Sequence, residues 1–222
     1  MNKAALVLLA LLTAPLPLFA ATVVVDPGHG GNRPGADLGD GREKEFVLEA
    51  ARRLAGLLQG RHQVVLTREE DYFMGPADRA GLANNLKADL FLSIHAAPRG
   101  LPGPARAFVW RWDAASTRRP AAEHAAAPTP WQALQAAHAA ESARLAQVAA
   151  LELGRAFPDT PVHAGGLPLT VLEGADMPAL LVEIPQPVPG GQDREAVLSA
   201  AAAALARAVE RFLAETPVTA GP

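Results

Sequence analysis

The chain has 222 residues and no cysteine. Disulfides and thiolate metal sites are therefore excluded, and any metal must be held by His, Asp or Glu. Charge of one sign is also lacking. Twenty Lys and Arg against 23 Asp and Glu leave a net charge of −3, so there is no basic field of the kind that nucleic acid demands. A long apolar run is missing too. The stretch from Ala4 to Leu12 is followed by Pro15 and Pro17, which leaves it short of the ~20 apolar residues a bilayer span needs. With Lys3 before it and the small residues Ala20 and Ala21 after it, residues 1–21 read as a secretory signal peptide. No Cys follows, so a lipoprotein anchor is excluded. The expectation is export to the periplasm or cell envelope, with no membrane attachment once the signal is removed.

What is present is an ordinary globular composition, 50% hydrophobic and 19% charged. It suffices for one sizeable core and one domain, 22–216, with 217–222 as a flexible tail. Strand and helix patterns alternate. "TVVV" (22–25), "QVVLT" (63–67) and "DLFLSI" (89–94) read as strands. Between them, "EFVLEAARRLAGLLQG" (45–60) carries Phe46, Leu48, Leu54, Leu57 and Leu58 at helical spacing and ends at Gly60. "GPADRAGLANNLK" (75–87) has Pro76 in its first turn. Beyond them, 105–112 reads as a strand and 131–157 as one long Ala-rich helix. "LPLTVL" (167–172) and "PALLVEI" (178–184) read as strands, and 193–215 as a closing helix with Asp193 at its N-cap. The expected fold is α/β, with three layers: a mostly parallel, twisted sheet of about six strands between helices on both faces. Residues 113–140, rich in Ala and Pro, read as an insertion.

In open α/β sheets, ligands gather at the carboxyl ends of strands. His29 follows the first strand, His95 the third, and Glu183 closes the last. In "TVVVDPGHGG", Asp26-Pro27-Gly28 stops the strand and Gly30-Gly31 lets backbone pass close to the imidazole. Histidine is the commonest metal ligand, and Zn²⁺ binds it well. A third ligand would come from "GREKEF", where Glu43 and Glu45 are equal candidates on spacing; either could instead be a helix-start acid favoured by the macrodipole.

Taken together, "VVVDPGHGG", "EKEFVLEAARRLAGLL", "VVLTREED", "DRAGLANNLKADLFLSIHAAP" and "MPALLVEI", in this order, resemble the zinc-dependent N-acetylmuramoyl-L-alanine amidases, which cleave peptidoglycan. The resemblance runs from about Thr22 to about Glu215 and is densest before Pro98. It implies that His29, Glu43 and His95 hold Zn²⁺ and that Glu183 is the catalytic base, and so selects Glu43 over Glu45. Two His and one Glu leave a fourth tetrahedral position for water. The implied activity is hydrolysis of the amide between N-acetylmuramic acid and the L-alanine of the stem peptide by an exported monomer. Peptidoglycan would be its partner, along with an activator protein that displaces a loop. The alternatives are a zinc peptidase acting on the stem peptide, or an inactive metal-containing domain that binds or regulates the wall.

The chain departs from the family pattern at Pro185-Gln186-Pro187 after the catalytic position, and at Ala97, Val47 and Glu173. These changes leave the metal residues intact and bear on substrate-side contacts. His62 is expected to be exposed, His163 to lie on a surface loop or else to line the cleft, and His124 and His138 to be surface residues of the insertion. Arg68 and Asp78-Arg79 are expected to tie loop to helix by ion pairing. Trp110, Trp112 and Trp131 are expected chiefly to pack, with stacking on sugar faces as the alternative. For the insertion, a surface loop is one expectation. The sharper one is a lid that brings Glu123, His124, His138 or Glu141 near the zinc.

Overall fold

The computed structural model describes residues 19–39, 41–98, 106–113, 130–187 and 193–215. The expected leader (apart from Phe19, Ala20 and Ala21), the tail after Glu215, and Glu123 and His124 of the insertion lie outside them. Six strands, β1 (Thr22–Pro27), β2 (Gln63–Leu66), β3 (Leu90–Ala96), β4 (Ala107–Trp112), β5 (Val162–Leu167) and β6 (Ala179–Ile184), form one sheet in the order β2-β1-β3-β6-β4-β5. The four strands β2, β1, β3 and β6 run parallel. β4 joins β6 antiparallel and carries β5 alongside it in parallel.

Helices cover both faces because the strand residues alternate. Val23, Val25, Leu90, Leu92, Ile94, Leu180 and Val182 point to one side. There they meet α1 (Glu43–Leu58), α4 (Ala139–Ala156) and α6 (Arg194–Glu215). Val24, Phe91 and Leu181 point to the other, toward α2 (Pro76–Asn85) and the short α5 (Thr170–Glu173). A period of two in each strand thus builds two cores. In α1 the buried residues Phe46, Val47, Ala50, Ala51, Leu54 and Leu58 make one stripe, whereas Leu57 lies outside it and is exposed. Phe46 is fully buried, and its truncation to Ala should cost about 3–5 kcal/mol. Gly60, at φ +88, supplies the left-handed turn that ends α1.

Two expected elements differ. The long helix over 131–157 is two, α3 (Pro130–Ala137) and α4, divided at His138. The division has a polar cause. The buried Gln135 amide donates to the carbonyls of Ala175 and Met177, while Ser142 Oγ donates to Gln135 and accepts from the Ala179 N–H. This tether turns α3 onto the loop entering β6. Second, the strand expected at 167–172 lies earlier, as β5 over "VHAGGL", and Thr170–Glu173 is helical. The Gly165–Gly166 pair reads as a turn in sequence, but it is needed in this strand. A Cβ on Gly165 would meet the Trp110 ring at 2.9 Å, and one on Gly166 would meet Asp113 at 2.5 Å.

Candidate active site

The turn after β1 is the most constrained backbone in the site. His29 adopts φ +61, a left-handed conformation rare for a residue with a side chain. Gly30 follows at φ +115, where a Cβ would meet the Tyr72 carbonyl at 2.2 Å. Two buried guanidiniums hold the turn by its carbonyls. Arg68 donates to Pro27, Gly28 and Lys44, and Arg79 donates to Pro27, His29 and Met74. Arg79 also pairs with the fully buried Asp26 at 2.6 Å, and Ser93 and Thr67 donate to the same carboxylate. A third clamp is Lys44, which bonds the Gly31 carbonyl and Asp71, while Asp71 accepts the Gly31 N–H. The expectation for Arg79 holds through Asp26, whereas Arg68 acts on backbone carbonyls. Lys44 and Asp71 were missed in sequence, although their opposite charges on either side of a glycine-rich turn were there to be read.

Into this frame come the other residues. Glu43 is the first residue of α1 and is 5% exposed. Its Oε1 lies 3.0 Å from His29 Nε2 and 3.0 Å from His95 Nδ1. The backbone N–H groups of Ala36 and Ala96 donate to its two oxygens. Burial alone would raise the Glu43 carboxyl pKa. The two imidazoles and the two N–H groups outweigh it and hold the carboxyl well below the usual carboxylate range. Glu45, the rival on spacing, caps the helix instead, accepting the Arg42 N–H at 2.8 Å. One ligand atom each from His29, Glu43 and His95 lies within 4.8 Å of the others.

Does this donor set fit a metal ion? An ion with bonds of ~2.1 Å sets tetrahedral donors about 3.4 Å apart, close to the two 3.0 Å separations here. Two imidazoles and one anionic oxygen make a donor set suited to Zn²⁺. Glycines clear the space around them. A Cβ on Gly28 would meet His95 Nε2 at 2.3 Å, and one on Gly35 would meet the Glu43 Cβ at 2.6 Å. The residues fit, and the triad could hold a metal.

Glu183 is the strand neighbour of His95, in register across β3 and β6. Burial pushes its carboxyl pKa up; a hydrogen bond from the Trp110 side chain, which has only the indole N–H to give, pulls the other way. Trp110, expected chiefly to pack, thus touches the candidate base. Phe108 faces Glu183 in register on β4, and its ring stacks on Trp110 at 5.3 Å and on His163 at 5.5 Å. His163 is therefore on a strand, not a surface loop.

Other expectations differ from the structure. His62 is buried, 3.3 Å from Glu210, because it leads into β2 beneath α6. His138 pairs with Asp176, in the loop entering β6, and with Glu141. That loop is at the opposite end of β6 from Glu183, so neither His138 nor Glu141 stands beside the triad. The departures from the family pattern also find places. Val47 is fully buried in the core, and the buried Gln186 amide donates to the Ala97 carbonyl, joining the loops after β6 and β3.

A cavity of about 270 Å³ opens beside the triad, lined by His29, His95, Arg33, Phe73, Met74, Pro76, Arg79 and Val171 among others. Among the described residues, no helix is long and apolar enough to cross a membrane.

Comparison with known proteins agrees with this architecture. The chain is 39% identical over 105 residues to a probable N-acetylmuramoyl-L-alanine amidase AmiB of Haemophilus influenzae, covering 44% of this chain and 24% of that protein. It is 46% identical over 78 residues to the amidase AmiC of Escherichia coli, covering 33% of this chain and 18% of that protein. The matched part thus spans a quarter or less of those two relatives. The solved structure of the amidase AmiC2 of Nostoc punctiforme superposes with a TM-score of 0.66 at 26% identity, covering 88% of this chain and 98% of that one. Residues 23–188 match the family model described as N-acetylmuramoyl-L-alanine amidase, and the chain belongs to that family.

Proposed function

We propose that this protein is an exported, zinc-dependent peptidoglycan hydrolase. It cleaves the amide between the lactyl group of N-acetylmuramic acid and the L-alanine of the stem peptide. One observation carries the reading: Glu43 Oε1 faces both His29 and His95 at 3.0 Å, with Glu183 on the adjoining strand. Family membership supports the bond and the substrate. Export rests on the leader pattern of residues 1–21.

His29, Glu43 and His95 would hold the ion. When bound, Zn²⁺ lowers the pKa of water to ~7 and polarises the scissile carbonyl. Glu183 takes the proton of the attacking water as oxygen bonds to the carbonyl carbon. It then gives that proton to the nitrogen as the C–N bond breaks; the new lactyl carboxyl keeps the water's other hydrogen until it ionises, and the amine is released. The Trp110 N–H orients the carboxylate from the side of β4. No Ser or Cys nucleophile is required.

The test is digestion of purified sacculi by the zinc-loaded chain, with the products read by mass spectrometry. Free L-alanine amino termini on intact glycans are expected. Cuts between stem residues would make it a peptidase, and no product would leave a binding domain.

A further inference from the structure

The cavity beside the triad has a wall of unusual composition for so small a space. Phe73, Met74, Pro76 and Val171 give it apolar sides, and two guanidiniums, Arg33 and Arg79, reach it. The two cations differ in what they already hold. Arg79 already gives four of its five N–H groups to Asp26 and to three carbonyls. Arg33 is exposed, stands over the Phe73 ring at 6.0 Å, and has no acid within ion-pair distance among the described residues. Asp26, the acid of the cavity lining, has both oxygens engaged. The Arg33 backbone is fixed by two bonds with Gly30, both 3.0 Å, in the same turn that carries His29.

We propose that Arg33 binds a carboxylate of the stem peptide, and that this cavity takes the peptide side of the scissile amide. The proposal rests on the amidase reading and adds to it a direction for the substrate. The two sides of the bond differ in charge. N-acetylated sugars carry no ionised group, and the lactyl carboxyl is consumed in the amide. The stem peptide bears free carboxylates, the nearest on the acidic residue after L-alanine. An Arg whose planar fork meets no acid among the described residues and stands over an aromatic ring suits bidentate capture of such a group. The opposite flank has a different character. Across β6, β4 and β5, Glu183, Phe108 and His163 form one row, whose rings stack on each other and on Trp110. Aromatic faces there match a sugar better than an anion.

The experiment compares two muropeptides that differ only at the second stem residue, whose α-carboxylate is free in one and amidated in the other. For the zinc-loaded full chain, kcat/KM should favour the free acid by about 10- to 100-fold, the worth of one hydrogen bond to a charged group. Arg33→Ala should bring the free acid down to the level of the amidated substrate, chiefly through KM, and Arg33→Glu should reverse the order. Calorimetric binding of both muropeptides to the Glu183→Gln chain should show the same preference and the same loss on adding Arg33→Ala. Equal use of both substrates by the wild-type chain would overturn the proposal while leaving the amidase reading intact, and so would a preference that survives Arg33→Ala. Failure of the wild-type chain to cut either substrate would remove the amidase reading itself, and this inference with it.

Discussion

Replacing Arg79 with alanine tests whether the turn that carries His29 is held from behind. The guanidinium reaches four acceptors: the Asp26 carboxylate at 2.6 Å and the carbonyls of Pro27, His29 and Met74 at 2.9, 2.6 and 2.9 Å. Removing it leaves a fully buried carboxylate without its cation. Breaking a buried pair from one side costs about 3–5 kcal/mol. For a chain of this size, ~1 kcal/mol shifts Tm by about 2–4 °C, so the expected loss is roughly 6–20 °C. The double variant Asp26→Ala/Arg79→Ala separates the lost pair from the stranded charge. It should be less damaged than the sum of the two single variants, because the carboxylate that Arg79→Ala strands is gone. Thermal and urea unfolding of the four proteins would measure this. Metal affinity provides a second readout, since the left-handed His29 loses the bond to its carbonyl and its imidazole should wander. A Tm within 2 °C of wild type for Arg79→Ala, or strict additivity in the cycle, would show that this buried pair does not hold the turn.

Gly28→Ala should fold but bind zinc at least about tenfold more weakly in chelator competition, because its Cβ would fall 2.3 Å from His95 Nε2. Trp110→Phe keeps the stack on Phe108 and removes the N–H that reaches Glu183. It should lower kcat by about tenfold with little change in KM, and a KM effect alone would speak against orientation of the base. Glu152, bonded to Arg207 and Arg155, joins α6 to α4, and the Arg207 bond above all holds its carboxyl below the usual range. A lowered folded pKa stabilises the fold above the ordinary glutamate value and stops doing so as pH falls through the folded one. The Tm gap between wild type and Glu152→Gln should thus be widest near neutrality and close below about pH 4.

Much of this arrangement was legible in the sequence, because strand ends in an α/β sheet are where ligands collect. His29, His95 and Glu183 each follow or close a recognisable apolar strand, and their convergence needed only the parallel order of β1, β3 and β6. Glu43 was harder. Spacing could not part it from Glu45, since both stand in the first turn of α1; the fold does so by giving Glu45 the Arg42 N–H and Glu43 the two imidazoles. What stayed hidden was of two kinds. Some was long-range polar contact without a periodic signature, such as the Trp110 bond to Glu183 or the Gln135 tether that divides α3 from α4. The rest was local chemistry that misleads. Gly165 and Gly166 look like a turn, yet they are the strand residues that let Trp110 and Asp113 lie close. His62 looks like a loop histidine before a strand, yet α6 covers it.

Glu183, on this mechanism, moves the proton in an amide hydrolysis that depends on zinc held by His29, Glu43 and His95. The most direct test of this role is the rate at which purified Glu183→Gln, loaded with one zinc, releases L-alanine amino termini from a muropeptide. Wild-type zinc content is expected with turnover reduced by about 10²–10⁴-fold, because the neutral amide cannot accept the proton. A zinc-loaded Glu183→Gln protein that turns over near the wild-type rate would contradict it.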